Sequence, residues 1–171
     1  LGTGFLQINT DSGAKIIHKA GFLVQDSVED CRVLSRSFIA VKKDNLWFLH
    51  TLTGRLLEAA GWDDITALGN VIVFKRDNKS YVAPREQLGK CADGIPLRVS
   101  EPFDELKPWA HGLLWGKAGD FQGLLNQGLH GVIGFDRHRL TQTSFGALAQ
   151  KPNGYALYNW NGKRSARFDR V

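Results

Sequence analysis

Two stretches of the sequence share one pattern: SFIAVKKDNLWFLHTLTGRLLEAAGWDDI from Ser37 to Ile65, and NVIVFKRDNKSYVAPREQLGK from Asn70 to Lys90. Each begins with a short apolar run, passes two basic residues and an Asp-Asn pair, and returns to apolar residues before reaching a glycine. Apolar runs separated by Asp, Asn or Gly are typical of β-hairpins. The two stretches therefore raise the question of whether the chain repeats a single β unit.

Similar starts occur at five positions, separated by 33, 33, 42 and 34 residues, which are Phe5, Phe38, Val71, Leu113 and Ala147. The units lie near 5–36, 38–69, 71–111, 113–145 and 147–171, and the long interval contains an insertion at 91–110. A fixed period of this length is typical of repeat proteins. We expect a single all-β domain over 1–171, built as a solenoid-like stack of antiparallel units, with a partial β-propeller as the alternative.

One segment resembles a helix when it is taken alone. Residues 54–68, GRLLEAAGWDDITAL, are rich in helix-forming Leu, Glu and Ala. Their position inside the second repeat unit instead predicts strands, with no helix longer than about two turns.

Other residues recur at repeat spacing. A glycine follows the second strand of most units, and an aromatic residue followed by Asp comes a few residues later. The pattern predicts aromatic rings that fill the core between units and carboxylates that accept hydrogen bonds from turn amides. We assign a structural role to ten residues: Trp47, Gly54, Trp62, Asp63, Gly128, Phe135, Asp136, Gly162, Phe168 and Asp169.

These units resemble the bacterial WG β-repeat family. The resemblance is carried by LWFLHTLTGRLLEAAGWDDI (46–65), FQGLLNQGLHGVIGFDRH (121–138) and YALYNWNGKRSARFDRV (155–171). It implies a β-rich repeat array that serves as a structural or interaction module, and it implies no common reaction.

The sequence contains no pattern typical of a catalytic or metal centre. Its five histidines show no HExxH spacing, and no phosphate-binding glycine loop or GxSxG turn is present. We therefore predict a protein that is not an enzyme and that requires no cofactor or metal. Cys31 and Cys91 fall in the first and third units, which a linear stack would keep too far apart for a disulfide.

The net charge of +5 is mild for 171 residues, which makes nucleic acid an improbable partner. The densest basic clusters, DRHRL (136–140) and NGKRSAR (161–167), are interpreted as solvated strands and turns. No apolar run is long enough to span a membrane. The sequence has no Met. We expect a piece of a longer array, or a protein that associates end to end; its localisation is unknown, with an extracytoplasmic one favoured.

The insertion is the expected place for partner contacts, since binding residues often lie in insertions of repeat arrays. The candidate contact loop is EPFDELKPWAHG (101–112). The predicted contact residues are Phe103, Trp109, Trp115, Arg137 and Arg139.

Two classes of function stay open. The first is a non-catalytic module for protein–protein interaction, or for spacing within a larger bacterial protein or assembly. The alternative is a module that binds a carbohydrate or an anionic polymer through exposed aromatic residues and arginines.

Overall fold

The computed structural model describes residues 4–11, 13–21 and 23–169. These residues form five antiparallel sheets, each a meander whose strands pair in chain order. The prediction of an all-β protein is therefore confirmed. No helix in the described part of the chain is long and apolar enough to cross a membrane.

The strands of the five sheets follow one another along the chain. Sheet 1 contains β1 (Phe5–Thr10), β2 (Gly13–His18) and β3 (Leu23–Val28). Sheet 2 contains β4 (Asp30–Val33), β5 (Phe38–Lys43), β6 (Leu46–Thr51) and β7 (Leu56–Trp62). Sheet 3 contains β8 (Asp64–Leu68), β9 (Val71–Arg76) and β10 (Lys79–Pro84). Sheet 4 contains β11 (Glu105–Pro108), β12 (Leu114–Ala118), β13 (Phe121–Leu125) and β14 (Gly131–Asp136). Sheet 5 contains β15 (Arg139–Gln142), β16 (Gly146–Lys151), β17 (Gly154–Asn159) and β18 (Arg164–Asp169).

The chain divides into two compact units. The first unit, Leu1–Glu101, contains sheets 1 to 3, and the second, Pro102–Val171, contains sheets 4 and 5. The boundary between them falls inside the predicted insertion at 91–110.

The repeated Asp-Asn pair forms the same turn twice. Asp44 and Asn45 have φ angles of 52° and 63°, and Asp77 and Asn78 have φ angles of 52° and 59°. Two consecutive residues at positive φ are the mark of a type I′ turn, which Asn and Asp tolerate better than most side chains. The Asp-Asn pairs therefore indicate that both hairpin turns require positive φ angles at two consecutive residues.

The central strand of sheet 2 explains the first apolar run of the repeat. Phe38 and Ala40 belong to a core cluster shared with sheet 3, whereas Ile39 and Val41 belong to a cluster shared with sheet 1. Because side chains alternate between the two faces of a strand, a strand covered on both faces must be apolar at every position. In the second unit, one core lies between sheets 4 and 5.

A register shift recurs at the same place in four sheets. It interrupts the pairing of β2 with β3, β6 with β7, β13 with β14, and β17 with β18. A bulge of this kind adds local twist and changes which side chains share a face. The repeat is therefore visible in the pairing of the strands as well as in the sequence.

Two segments bear on specific predictions. Residues 54–68 contain all of β7 and all of β8, as their place in the repeat predicts, and not a helix. Gly89, expected in a turn, lies instead in the helix α1 (Arg85–Ala92). This helix buries Leu88 and Cys91, which are three residues apart and share one helix face. Both Cys31 and Cys91 are free and buried.

Candidate binding surface

Two repeat tryptophans form the centre of the core between sheets 2 and 3. Trp47 and Trp62 are paired across β6 and β7, and both are buried. The Arg32 guanidinium lies 3.9 Å from the centre of the Trp47 ring, and that of Arg76 lies 4.0 Å from the Trp62 ring. Arg32 also binds the Asp64 carboxylate. These rings and cations are packed together in the structure and leave no ring face open for a ligand.

The acidic residues at the start of successive sheets contact the next hairpin. The Asp63 carboxylate accepts a hydrogen bond from the amide of Asp77 at 2.9 Å. Glu29 accepts one from Asn45 at 3.1 Å, and Asp104 accepts one from Gly119 at 2.5 Å. This is the role that the repeat spacing predicts for them. Asp136 differs, since its carboxylate binds the Lys151 ammonium at 2.6 Å.

The aromatic landmarks of the second unit differ from one another. Phe135 packs against Phe103, with ring centres 5.7 Å apart, and covers Gly116 and Gly123. Phe168 is 54% exposed, so the expectation of a core ring is wrong for this position. It lies on β18, opposite Tyr155, on the face that no described sheet of this unit covers. The side chain of Asp169 lies outside the described residues.

The repeat glycines fall into two groups. A Cβ at Gly54, where φ is 83°, would overlap the carbonyl oxygen of Val24, and one at Gly162, where φ is 75°, would overlap that of Val132. In both cases a turn touches the backbone of the preceding sheet, which only glycine permits. Gly128 is different because the positive φ falls on the neighbouring Leu129.

Two aromatic rings of the predicted contact loop, Phe103 and Trp109, pack within the second unit. Trp115 is 5% exposed and Phe103 is 9% exposed, so neither ring is available at the surface as a contact residue would be. Trp109 is half-buried and packs against the core of sheets 4 and 5. The reason is physical: a two-sheet unit has few apolar residues, and the loop supplies several of them.

Arg137 and Arg139 are the two predicted contact residues that lie exposed at the surface. They flank the buried His138 and line an open cleft of about 470 Å³, which we call the upper cleft. Its remaining walls come from Asp120, Gln122, Gln150, Lys151 and Pro152.

A second cleft, of about 270 Å³, adjoins the first and is called the lower cleft. It is lined by Lys151, Pro152, Asn153, Gly154, Tyr155, Ala156, Tyr158, Arg164 and Arg167. Lys151 and Pro152 belong to both clefts. We call the two clefts together the basic surface; it contains the cations Arg137, Arg139, Lys151, Arg164 and Arg167.

A bulge places two of these arginines on the same side of their strand. Residues three apart in a regular strand face opposite sides of a sheet. In sheet 5, however, Arg167 is paired with Ala156 and Arg164 with Tyr158, because the register shifts between Leu157 and Tyr158. Ala156 and Tyr158 share one face, so Arg164 and Arg167 do so too. This pair of arginines was not predicted from the sequence. The basic cluster at 161–167 is the only sequence feature that could have indicated it.

Electrostatic contacts fix the centre of the basic surface. The Lys151 ammonium, hydrogen-bonded to Asp136, is the main reason why the pKa of that carboxyl is lowered. Burial lowers the pKa of His138, against opposing effects of Asp136 and the backbone of Gln122. Neither ring nitrogen of His138 meets a partner with hydrogen-bond geometry among the described residues. The buried His138 side chain therefore borders the upper cleft, with both ring nitrogens beneath the surface.

The described residues contain no group of three or more His, Cys, Asp or Glu side chains that would hold a metal ion. Burial also lowers the pKa of His50, whose Nδ1 lies 3.2 Å from the carbonyl oxygen of Gly54. That histidine is part of the turn that contacts sheet 1.

No protein-family model matches this sequence, and the comparison with curated proteins gives no significant match. Among solved structures, Hsv2 of Kluyveromyces lactis is similar with 10% identity and a TM-score of 0.46, over 93% of this chain and 59% of that one. PorZ, a bacterial surface component of the type-IX secretion system of Porphyromonas gingivalis, is similar with 14% identity and a TM-score of 0.37, over 98% of this chain and 26% of that one. The chain spans about three fifths of the length of the Hsv2 chains that it matches. Similarity at this level assigns neither a family nor a function.

Proposed function

We propose that this chain is a non-catalytic protein-interaction module that assembles end to end, with sheet 1 of one copy packed on sheet 5 of the next. The observation that carries the proposal is a row of exposed apolar side chains on sheet 1. Leu6 is 60% exposed, Ile8 46% and Leu23 51%. Strand register places Leu6 opposite Ile17, and Ile17 opposite Leu23, so the row crosses the whole sheet.

The occupant proposed for this face is another sheet of the same kind. Sheet 2 shows how these sheets bind one another, since it buries one apolar face against sheet 1 and the other against sheet 3. Sheet 5 also has an apolar row on the face opposite its core: Leu148 is paired with Leu157, and Leu157 with Ala166. Contact between two different faces gives a heterologous, head-to-tail association.

The strand arrangement supports a refinement of the fold. The sequence predicts a solenoid-like stack with a partial β-propeller as the alternative, and three of the five sheets are four-stranded meanders. A four-stranded antiparallel meander is the form of a propeller blade. We therefore favour propeller-type blades over solenoid units. The resemblance to WG β-repeats remains a hypothesis, and a β-rich repeat is consistent with it.

The test is the molar mass of the protein in solution between about 5 and 500 µM, measured by sedimentation equilibrium. We expect the mass to rise with concentration, and we expect Leu6→Lys and Leu23→Lys each to reduce the association at least about tenfold, since a buried lysine would be unpaired. Glu86→Lys, at an exposed position of α1, is the matched control and should associate like the parent chain. A constant monomer mass over the whole range would refute the proposal.

A further inference from the structure

We propose that the basic surface of the second unit binds an acidic polysaccharide, whose carboxylate or sulfate groups pair with its arginines. The site is separate from the apolar face of sheet 1. It is formed by residues that the chain brings together from four segments: the turn at 119–122, the residues 136–139, the hairpin at 150–156 and strand β18.

The basic surface is rich in cations. Five cations line the two joined clefts; among the lining residues that the structure describes, Asp120 is the one acid, and Asp136 lies beside Lys151. Asp169 is paired with Gly154 of the lower cleft, and its side chain lies outside the described residues. Asp136 binds Lys151, which holds that ammonium at the point where the two clefts meet. Arg139 and Arg164 are exposed, and neither makes a side-chain hydrogen bond or ion pair in the part of the chain that the structure describes. An arginine fork pairs with both oxygens of a carboxylate or sulfate group, which gives the surface a preference for oxyanions.

The two clefts of the basic surface are joined, which suits an elongated ligand. The clefts, of about 270 and 470 Å³, lie at the lower end of the usual range for ligand pockets and are open to solvent. They share the wall formed by Lys151 and Pro152, so an elongated ligand can occupy both. A polymer that follows the hairpin at 150–156 can therefore contact Arg164 on one face of sheet 5 and Arg139 on the other, with Lys151 between them.

Aromatic side chains distinguish a sugar from a simple anion. Tyr158 lines the lower cleft and is half-buried on the core of the unit beside Trp160. The exposed His111 packs against the Trp160 ring, with centres 4.4 Å apart. The half-buried Tyr158 ring provides flat apolar area in the lower cleft for the carbon face of a sugar, while the polar edge of the sugar remains free for hydrogen bonds.

A nucleic acid fits these observations less well. The two acids break the positive field, and the net charge of the whole chain is only +5. Binding to DNA depends on many phosphate contacts made along a dense line of charge. Five cations spread over two clefts match a polymer with wider charge spacing.

Titration calorimetry at roughly physiological salt tests the proposal with defined polymers. Polygalacturonate presents carboxylates, dextran sulfate presents sulfates, and unmodified dextran is the neutral counterpart. We expect one or both anionic polysaccharides to bind and dextran not to bind; which of the two binds more tightly identifies the anionic group. Polyglutamate and a single-stranded oligothymidylate represent an acidic peptide and a nucleic acid, and tighter binding of either one would overturn the assignment to a polysaccharide.

Two neighbouring residues provide a matched pair of variants. Arg164 lines the lower cleft, whereas Lys163 does not, and both side chains are exposed. We expect Arg164→Gln to weaken binding about tenfold or more, the typical effect of losing a charge-assisted hydrogen bond, and Lys163→Gln to change it less than about twofold. Equal losses in the two variants would mean that net charge alone drives binding, and the absence of binding to either polyanion would also refute the site. Arg139 and Tyr155 lie on the same face of sheet 5 as Leu148 and Leu157, so the titrations are made at a concentration where the parent chain is monomeric, and self-association is measured separately.

Discussion

The five tryptophans show how differently one residue type is used along this chain. Trp47, Trp62 and Trp115 are buried, and Trp109 and Trp160 are half-buried against the core of the second unit. Trp62 touches two further aromatic rings, with ring centres 5.1 Å from Phe74 and 5.5 Å from Tyr81. The half-buried rings have fewer such neighbours, so their truncation removes less packing.

Trp62→Ala and Trp109→Ala should therefore differ in their effect on stability. Removing the buried Trp62 ring leaves a cavity and should lower the free energy of unfolding by about 3–5 kcal/mol. Trp109→Ala should cost less, roughly 1–2 kcal/mol, since the ring is partly solvated but still packs on the core. As an exposed contact residue, which the sequence predicts, Trp109 would add little to stability; its contact with the core is the reason for the larger value. Denaturant unfolding of both variants measures the difference, and equal losses would show that Trp109 is as central to its core as Trp62.

At the scale of single elements, the turns determine how closely adjacent sheets approach. Gly54 and Gly162 occupy corresponding turns in sheets 2 and 5, and each touches a backbone carbonyl of the preceding sheet. Gly21 has a similar φ, 87°, but nothing lies within 4 Å of the position of its Cβ. A comparison of Gly21 with Gly54 and Gly162 therefore separates the free-energy cost of a left-handed backbone from that of a close backbone contact.

Gly54→Ala and Gly21→Ala form a matched pair for this distinction. Gly21→Ala should cost about 1–2 kcal/mol, the usual penalty for a non-glycine residue in the left-handed region. Gly54→Ala carries the same penalty and must also move the turn away from Val24, so its loss should be larger, about 3 kcal/mol or more. Thermal unfolding of the two variants provides the comparison. If both melt alike, the turn at Gly54 can shift away from sheet 1 without loss.

The acidic residue at the start of sheet 3 holds the next hairpin in place. Asp63→Ala removes the carboxylate that accepts a hydrogen bond from the Asp77 amide, and it should lower stability by about 0.5–1.5 kcal/mol. Asp93→Ala, at an exposed position next to α1, is the control and should stay within about 0.5 kcal/mol of the parent chain. Hydrogen exchange at Asp77 and Asn78 should accelerate in the first variant alone; unchanged exchange there would contradict the proposed role of Asp63.

Over the whole molecule, two buried histidines link stability to pH. Burial is the main cause that lowers the pKa of both His50 and His138 in the folded protein. The unfolded chain therefore takes up protons first as the pH falls below about 6.5, the ordinary pKa of histidine. Their contribution to stability is fully present above that pH and is lost as the pH falls toward the lowered pKa values of the folded state.

We expect the melting temperature to fall between about pH 7.5 and pH 5, before the carboxylates titrate. The pKa values of Glu29 and Asp136 are lowered mainly by hydrogen bonds, to the Asn45 amide and to Lys151, so their contribution is lost in a separate, more acidic range. His138→Gln should flatten the dependence above pH 5, whereas His130→Gln, at an exposed position, should leave it unchanged. An identical slope in the parent chain and the His138 variant would show that His138 does not cause the effect.

The β class and several local features could be predicted from the sequence because they depend on neighbouring residues. An Asp-Asn pair between apolar runs requires a positive φ at two positions, and both hairpins have it. The run Phe38–Val41 is apolar at every position, which indicates a strand covered on both faces. The period of about 33 residues predicted the number of sheets, but the first strand of each of sheets 2 to 5 lies at the end of the preceding predicted unit. The Asp63 spacing indicated its contact with a turn.

The tertiary structure decided the features that depend on distant residues or on a change in register. A helix at Arg85–Ala92 occupies the place where repeat spacing predicts a turn, because tertiary packing of Leu88 and Cys91 overrides the period. Trp115 is buried in the core between sheets 4 and 5, and Phe103 is buried against Phe135. The basic surface depends on a bulge that turns Arg164 and Arg167 to one face, and on a hairpin that places Lys151 beside Arg137 and Arg139. A sequence records which residues are cationic, but only the pairing of strands determines which of those cations meet.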